Sequence, residues 1–94
     1  MKKYFSASLC KNGIIGGGIT ADNESVTYHC SKVTIPEKYR KLKMRYENIH
    51  SAETGRLFIF PAVTMKRNNG EEYKFVIFAR RRFMDTLRQM GVIT

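Results

Sequence analysis

From Lys41 to Tyr46 charge and apolarity alternate at every step, Lys-Leu-Lys-Met-Arg-Tyr. A period of two belongs to an extended strand, because successive side chains leave it on opposite faces. Lys41, Lys43 and Arg45 therefore share one face, and Leu42, Met44 and Tyr46 share the other. The apolar face requires a core. The cationic face requires water or an anionic partner.

Further segments carry the same signal. Gly13–Thr20 is apolar and extended, with Ile14, Ile15 and Ile19 interrupted by Gly16, Gly17 and Gly18. Ala21–Glu24 reads as a turn, and Ser25–Cys30 alternates as a strand, so the two strands form a hairpin. Pro36 places a bend or short helical turn. Glu47–Ser51 is expected to prolong the Lys41–Tyr46 strand, and Ala52–Gly55 to turn. Leu57–Met65 is the next expected strand. Pro61 lacks an N–H, so it should lie at an edge, bulge or kink. Asn69-Gly70, within Lys66–Glu71, marks a hairpin. In Glu72–Phe78, Tyr73, Phe75 and Ile77 form one face, and Glu72, Lys74 and Val76 the other, which Phe78 joins. Phe83, Met84, Leu87 and Met90 make an apolar stripe on a helix over 80–90, ended by Gly91.

These elements predict a mainly β fold, a small antiparallel sheet or open barrel plugged by one C-terminal helix. With 94 residues, 43% hydrophobic and 12% aromatic, the chain has the composition of one globular domain. Residues 1–94 form that domain, with a core of about 13–92 and residues 1–12 as a short leading strand or arm.

Seventeen Lys and Arg against eight Asp and Glu give a net charge of +9. That balance favours nucleic acid, an acidic membrane surface or an acidic protein, and equally fits a soluble chain that repels its neighbours. The longest apolar runs are too short to span a bilayer. Lys3–Cys10 is too short and polar for the apolar region of a signal, so the chain reads as cytosolic.

Chemistry finds little purchase. Cys10 and Cys30 read as reduced thiols in or near the core. No Cys-x-x-Cys or His-x-x-x-His spacing suggests zinc. His29 and Cys30 point to opposite faces of a strand and cannot form a dyad. Gly16–Gly18 lacks the Lys-Ser/Thr of a phosphate loop and reads as curvature or close backbone approach. No catalytic residue, cofactor or metal is expected. Arg80, Arg81 and Arg82 stand in the first turn of the helix with no capping side chain before them, where free N–H groups could help hold an anion. Solvated arginines, or pairs with Glu47, Glu53, Glu71 or Glu72, are the simpler reading.

Tyr46-x-x-Ile49-x-Ser51, then Gly55 and Leu57, the Lys66–Gly70 hairpin, Tyr73-x-Phe75, and Arg82-Phe83 leading to Leu87 together resemble the bacterial members of the pleckstrin homology superfamily and the related GRAM domains. The resemblance spans roughly Gly13 to Val92. It implies a strongly bent antiparallel barrel of about seven strands, closed at one end by the C-terminal helix. It also implies an adaptor or lipid-recognition role without catalysis. Phosphoinositide-binding members carry cations around the first hairpin loop, whereas Ala21–Glu24 here is acidic.

The candidate partner-binding residues are thus Lys41, Lys43, Arg45, Lys66, Arg67, Arg80, Arg81 and Arg82. They support a noncatalytic binding module for an acidic protein or anionic lipid headgroups. A nucleic-acid binder could use the same cations on phosphates, with Tyr39, Tyr46 or Tyr73 stacking on bases. A homo-oligomerising scaffold could use an exposed barrel edge near Pro61.

Overall fold

The computed structural model describes residues 2–11, 13–32 and 34–93. Among these residues seven strands form a single antiparallel sheet. They are β1 (Lys3–Cys10), β2 (Ile14–Ala21), β3 (Ser25–His29), β4 (Lys41–Arg45), β5 (Ile49–Leu57), β6 (Phe60–Arg67) and β7 (Glu72–Ile77). A four-residue helix α1 (Glu37–Arg40) precedes β4, and a ten-residue helix α2 (Arg80–Gln89) ends the fold. The strand order is β4-β3-β2-β1-β7-β6-β5. The sheet curls strongly into a half-barrel, with α2 against its interior.

Alternation decides what enters that interior. Phe5, Ala7 and Leu9 of β1, Phe75 and Ile77 of β7, and Val63 and Met65 of β6 are buried in one cluster. Phe83, Met84 and Leu87 of α2 complete it. Phe83 meets Phe5 edge to face, with centroids 5.3 Å apart and an 85° interplanar angle. Met44 is buried, and Leu42 and Tyr46 pack against the core while Lys41, Lys43 and Arg45 are exposed. The cation-faced strand is therefore oriented as its pattern requires. α2 ends at a Schellman motif: Val92 N–H donates to Leu87 O, Gly91 N–H donates to Arg88 O, and Gly91 has φ +78°.

Three segments differ from the sequence expectation. Lys3–Cys10 is a central strand, paired with both β2 and β7. The core therefore begins well before Gly13 (Met1 and Asn12 of the expected arm lie outside the described residues). The first hairpin joins β1 to β2, so the acidic Asp22–Glu24 loop belongs to the second hairpin. Glu47–Ser51 does not prolong β4: a single 3₁₀ turn, Tyr46–Asn48, intervenes before β5. Asn68 secures that turn, its N–H donating to Asn48 O at 2.8 Å and its Nδ2 to Glu47 O at 3.0 Å.

The third difference moves a turn. Ala52–Gly55 lies inside β5, whose ladder with β6 runs to Leu57↔Phe60. The reversal falls on Phe58 and Ile59 instead, with Phe58 at φ 56°. Pro61 lies at the start of β6, opposite Arg56, where the ladder to β7 has not yet begun. The position suits a residue without an N–H, but the margins of the sheet are β4 and β5.

Tyr28 is fully buried, and its Oη donates to Ile15 O at 2.6 Å. Burial pushes its pKa up from 10.0 to about 12. Tyr46 donates to Asp22 O at 2.7 Å. It is likewise raised to about 12, by burial first and then by the nearby Asp22 charge. The unfolded chain releases these protons near pH 10 while the folded chain holds them, so unfolding becomes easier as pH rises from about 10 to about 12. Melting temperatures across that window should fall, and the fall should be shallower in Tyr46→Phe.

Candidate functional site

The eight cations marked by the sequence occupy separate neighbourhoods. Lys41, Lys43 and Arg45 share the exposed face of β4. Arg45 Nη1 lies 3.6 Å from Glu24 Oε2, and its Nε donates to Glu47 Oε1 at 3.0 Å. Lys66 stands opposite Glu72 in the β6–β7 ladder, and Arg67 Nη1 pairs with Glu71 Oε1 at 3.0 Å. Hydrogen bonds from Asn69 and Tyr73, with the charge of Arg67, hold the Glu71 carboxyl below its ordinary pKa. Two of the three cationic groups are therefore partly neutralised.

The third divides as helical geometry requires. Successive residues on α2 point about 100° apart, so Arg80, Arg81 and Arg82 do not all face one way. Arg82 sits over the Phe5 ring, 5.2 Å from its centroid. Arg80 Nη1 donates to Gly55 O at 2.6 Å, across to β5. Arg80 and Arg81 instead face a cleft of about 640 Å³ shared with Met84, Asp85 and Arg88 of α2. Thr54, Pro61 and Phe78 supply the opposite wall. Among the described residues Asp85 is the one carboxylate of the lining, and it accepts from Arg88 Nη1 at 2.9 Å. Sequence reading passed over Arg88 as a site residue. The signal was its spacing, eight residues after Arg80 and seven after Arg81, which returns it to the same helical face.

An apolar surface adjoins this cleft. Ala62 and Val76 are buried yet stand outside the core cluster, paired with each other on the outer face of the sheet. Phe60 and Phe78 lie over that face, in edge-to-face contact at 5.7 Å, with Ile14 and Ser8 beside them. Phe78 lines both the shelf and the guanidinium cleft.

The stacking tyrosines are otherwise engaged. Tyr73 is buried, and Tyr39 and Tyr46 are half-buried against the core. His29 is exposed and Cys30 buried, on opposite sides of the sheet. Burial raises the Cys10 pKa, so the thiol is not activated. Among the described residues no group of three His, Cys, Asp or Glu could hold a metal ion. No helix among them is long and apolar enough to cross a membrane.

No protein-family model matches the chain, and no curated protein matches it. Among solved structures, it is similar to the C-terminal domain of an unknown protein from Leishmania infantum. The TM-score is 0.79 at 9% identity, covering 97% of this chain and 83% of that one. At so low an identity the likeness is one of fold: a seven-strand antiparallel half-barrel with a C-terminal helix.

Proposed function

We propose that this chain is a noncatalytic binding module of the pleckstrin homology-like type that meets anionic lipid headgroups. The seven curled strands and terminal helix support the resemblance, since they are what it implies. The observation that carries the reading is the cleft that Arg80 and Arg81 line together with Arg88, which is paired with Asp85. Guanidinium groups match phosphate oxygens bidentately, and several in one concavity focus their field on an anion.

On β4, Arg45 is shared between Glu24 and Glu47, which leaves Lys41 and Lys43 to carry that face. A nucleic-acid role finds Tyr46 held on Asp22 O and Tyr73 buried with its hydroxyl on Glu71, which leaves Tyr39, beneath Lys38, as the one stacking surface of the three.

Partitioning onto vesicles tests the reading. Adding about one third phosphatidylserine to phosphatidylcholine should increase binding strongly, and salt should weaken it. Arg81→Glu reverses an exposed cleft charge and should lower binding about tenfold or more. Lys41→Glu with Lys43→Glu should have the smaller effect. Indifference to phosphatidylserine would overturn the proposal, and a dominant effect of the β4 pair would move the site.

A further inference from the structure

The turn between β5 and β6 exposes what globular chains bury. Phe58 is 82% exposed and Ile59 86%. Phe58 also holds φ 56°, a region that bulky residues avoid and that two-residue hairpin turns ordinarily fill with Gly or Asn. The fold has no need of an aromatic side chain there, since it packs against little and strains the backbone that carries it. A costly choice of residue in the open points to a use in the open.

The surroundings say what kind of use. Arg80 Nη1 donates to Gly55 O at 2.6 Å, and Lys74 Nζ donates to Arg56 O at 2.9 Å. Consecutive carbonyls at the base of the hairpin thus hold two cationic heads, three and two residues before Phe58. Arg56 and Arg81 are exposed nearby in the chain and cleft. An apolar apex therefore stands on a cationic base, and Phe60, the next residue after the tip, meets Phe78 edge to face. Guanidinium and ammonium groups have N–H donors to spare beyond one carbonyl contact.

Resting on the headgroup-binding role of the cleft, we propose that Phe58-Ile59 is a wedge entering the interfacial layer of an anionic bilayer. Arg56, Lys74, Arg80 and Arg81 remain at headgroup depth against phosphate and carboxylate groups. A protruding two-residue tip offers far less than the roughly 800 Å² per partner of a stable protein interface. It suits a bilayer, where apolar area and basic charge each add to affinity. The area of Phe and Ile side chains supplies a salt-insensitive part of binding, and the cations supply the salt-sensitive part.

The test uses the full chain and vesicles of phosphatidylcholine, with or without about one third phosphatidylserine. Phe58→Ser/Ile59→Ser should weaken partitioning at least about tenfold and leave its salt dependence unchanged. Phe58→Gly relieves the turn, so it should melt a few degrees higher while binding more weakly. A purely structural role would not move those two readouts in opposite directions. The chain has no tryptophan, so Ile59→Trp provides a clean probe, and its emission should shift to the blue only with anionic vesicles. If the serine and glycine variants bind like the parent while Arg81→Glu does not, the wedge is overturned and the headgroup reading stands. If the parent ignores phosphatidylserine, both fall. If the serine variant changes sedimentation but not vesicle binding, the tip is a contact between copies and the wedge is wrong.

Discussion

Phe83→Ala should lower the melting temperature by on the order of 20 °C. Phe83 is fully buried on the inner face of α2, and Phe5 of the central strand β1 meets it edge to face. Truncation removes the ring's transfer energy and leaves a cavity that two rigid elements cannot close, at a cost of about 3–5 kcal/mol. Domains of this size are stable by only about 5–15 kcal/mol, so the variant should be near the limit of folding at body temperature. Circular dichroism melts of Phe83→Ala, Phe5→Ala and the double variant check it. The coupling between the two rings should be about 0.5–1.5 kcal/mol. Phe58→Ala, the same chemical change at the exposed tip, should cost nothing measurable. A loss below about 1 kcal/mol at Phe83 would mean that α2 does not stopper the half-barrel.

Period-two alternation made most of the sheet legible, because a strand with one face on a core needs that spacing and little else. Lys41–Arg45 and Glu72–Ile77 show it plainly. Where both faces are partly covered, or where the outer face carries small residues, the signal weakens. β1 alternates Phe5, Ala7, Leu9 with Tyr4, Ser6, Ser8, a pattern that a short leading strand and a central strand share. Its centrality comes from pairing with β7, some seventy residues away in sequence, and no local pattern reports such a partner. The helix was legible from its stripe, and its end from Gly91, because a left-handed C′ residue has a chemical requirement that glycine meets.

The site was less legible, for two physical reasons. Charge in a sequence does not say which cations find carboxylates: Arg45 meets Glu24 and Glu47, and Arg67 meets Glu71, and only the fold makes those introductions. The second reason is a conflict between propensity and position. Leu57-Phe58-Ile59-Phe60 has strand composition, and Glu53-Thr54-Gly55 has turn composition, yet the chain runs straight through the latter and reverses in the former. Burial resolves the conflict: Ala52 faces the core across from Met65, and keeping that pair in register carries β5 onward to Leu57. Sites where local preference loses to the fold are often the ones put to use.

The glycine run offers the sharpest contrast between neighbouring positions. Gly17→Ala should destabilise the fold by on the order of 3 kcal/mol, while Gly16→Ala should be neutral or slightly stabilising. A methyl group at Gly17 would run into the backbone carbonyl of His29 and lie 2.9 Å from Tyr28 Oη. Neither obstacle can step aside. The carbonyl belongs to the end of β3, and Tyr28 is buried beneath β2 with its hydroxyl on Ile15 O. At Gly16 an added Cβ meets nothing within 4 Å, so alanine there only reduces the freedom of the unfolded chain. Gly18 falls between the two, because its obstacle is the ring of Tyr4, a largely exposed side chain that can swing away. Thermal melts of the three alanine variants should rank Gly17 far below Gly18, and Gly18 below Gly16. The ultraviolet titration adds a local readout. If Gly17 exists to let the Tyr28 ring pass under the strand, Gly17→Ala should return one tyrosine from about 12 toward 10. Equal melting of all three variants would show that the run serves only chain flexibility, and that Tyr28 reaches Ile15 by some other accommodation.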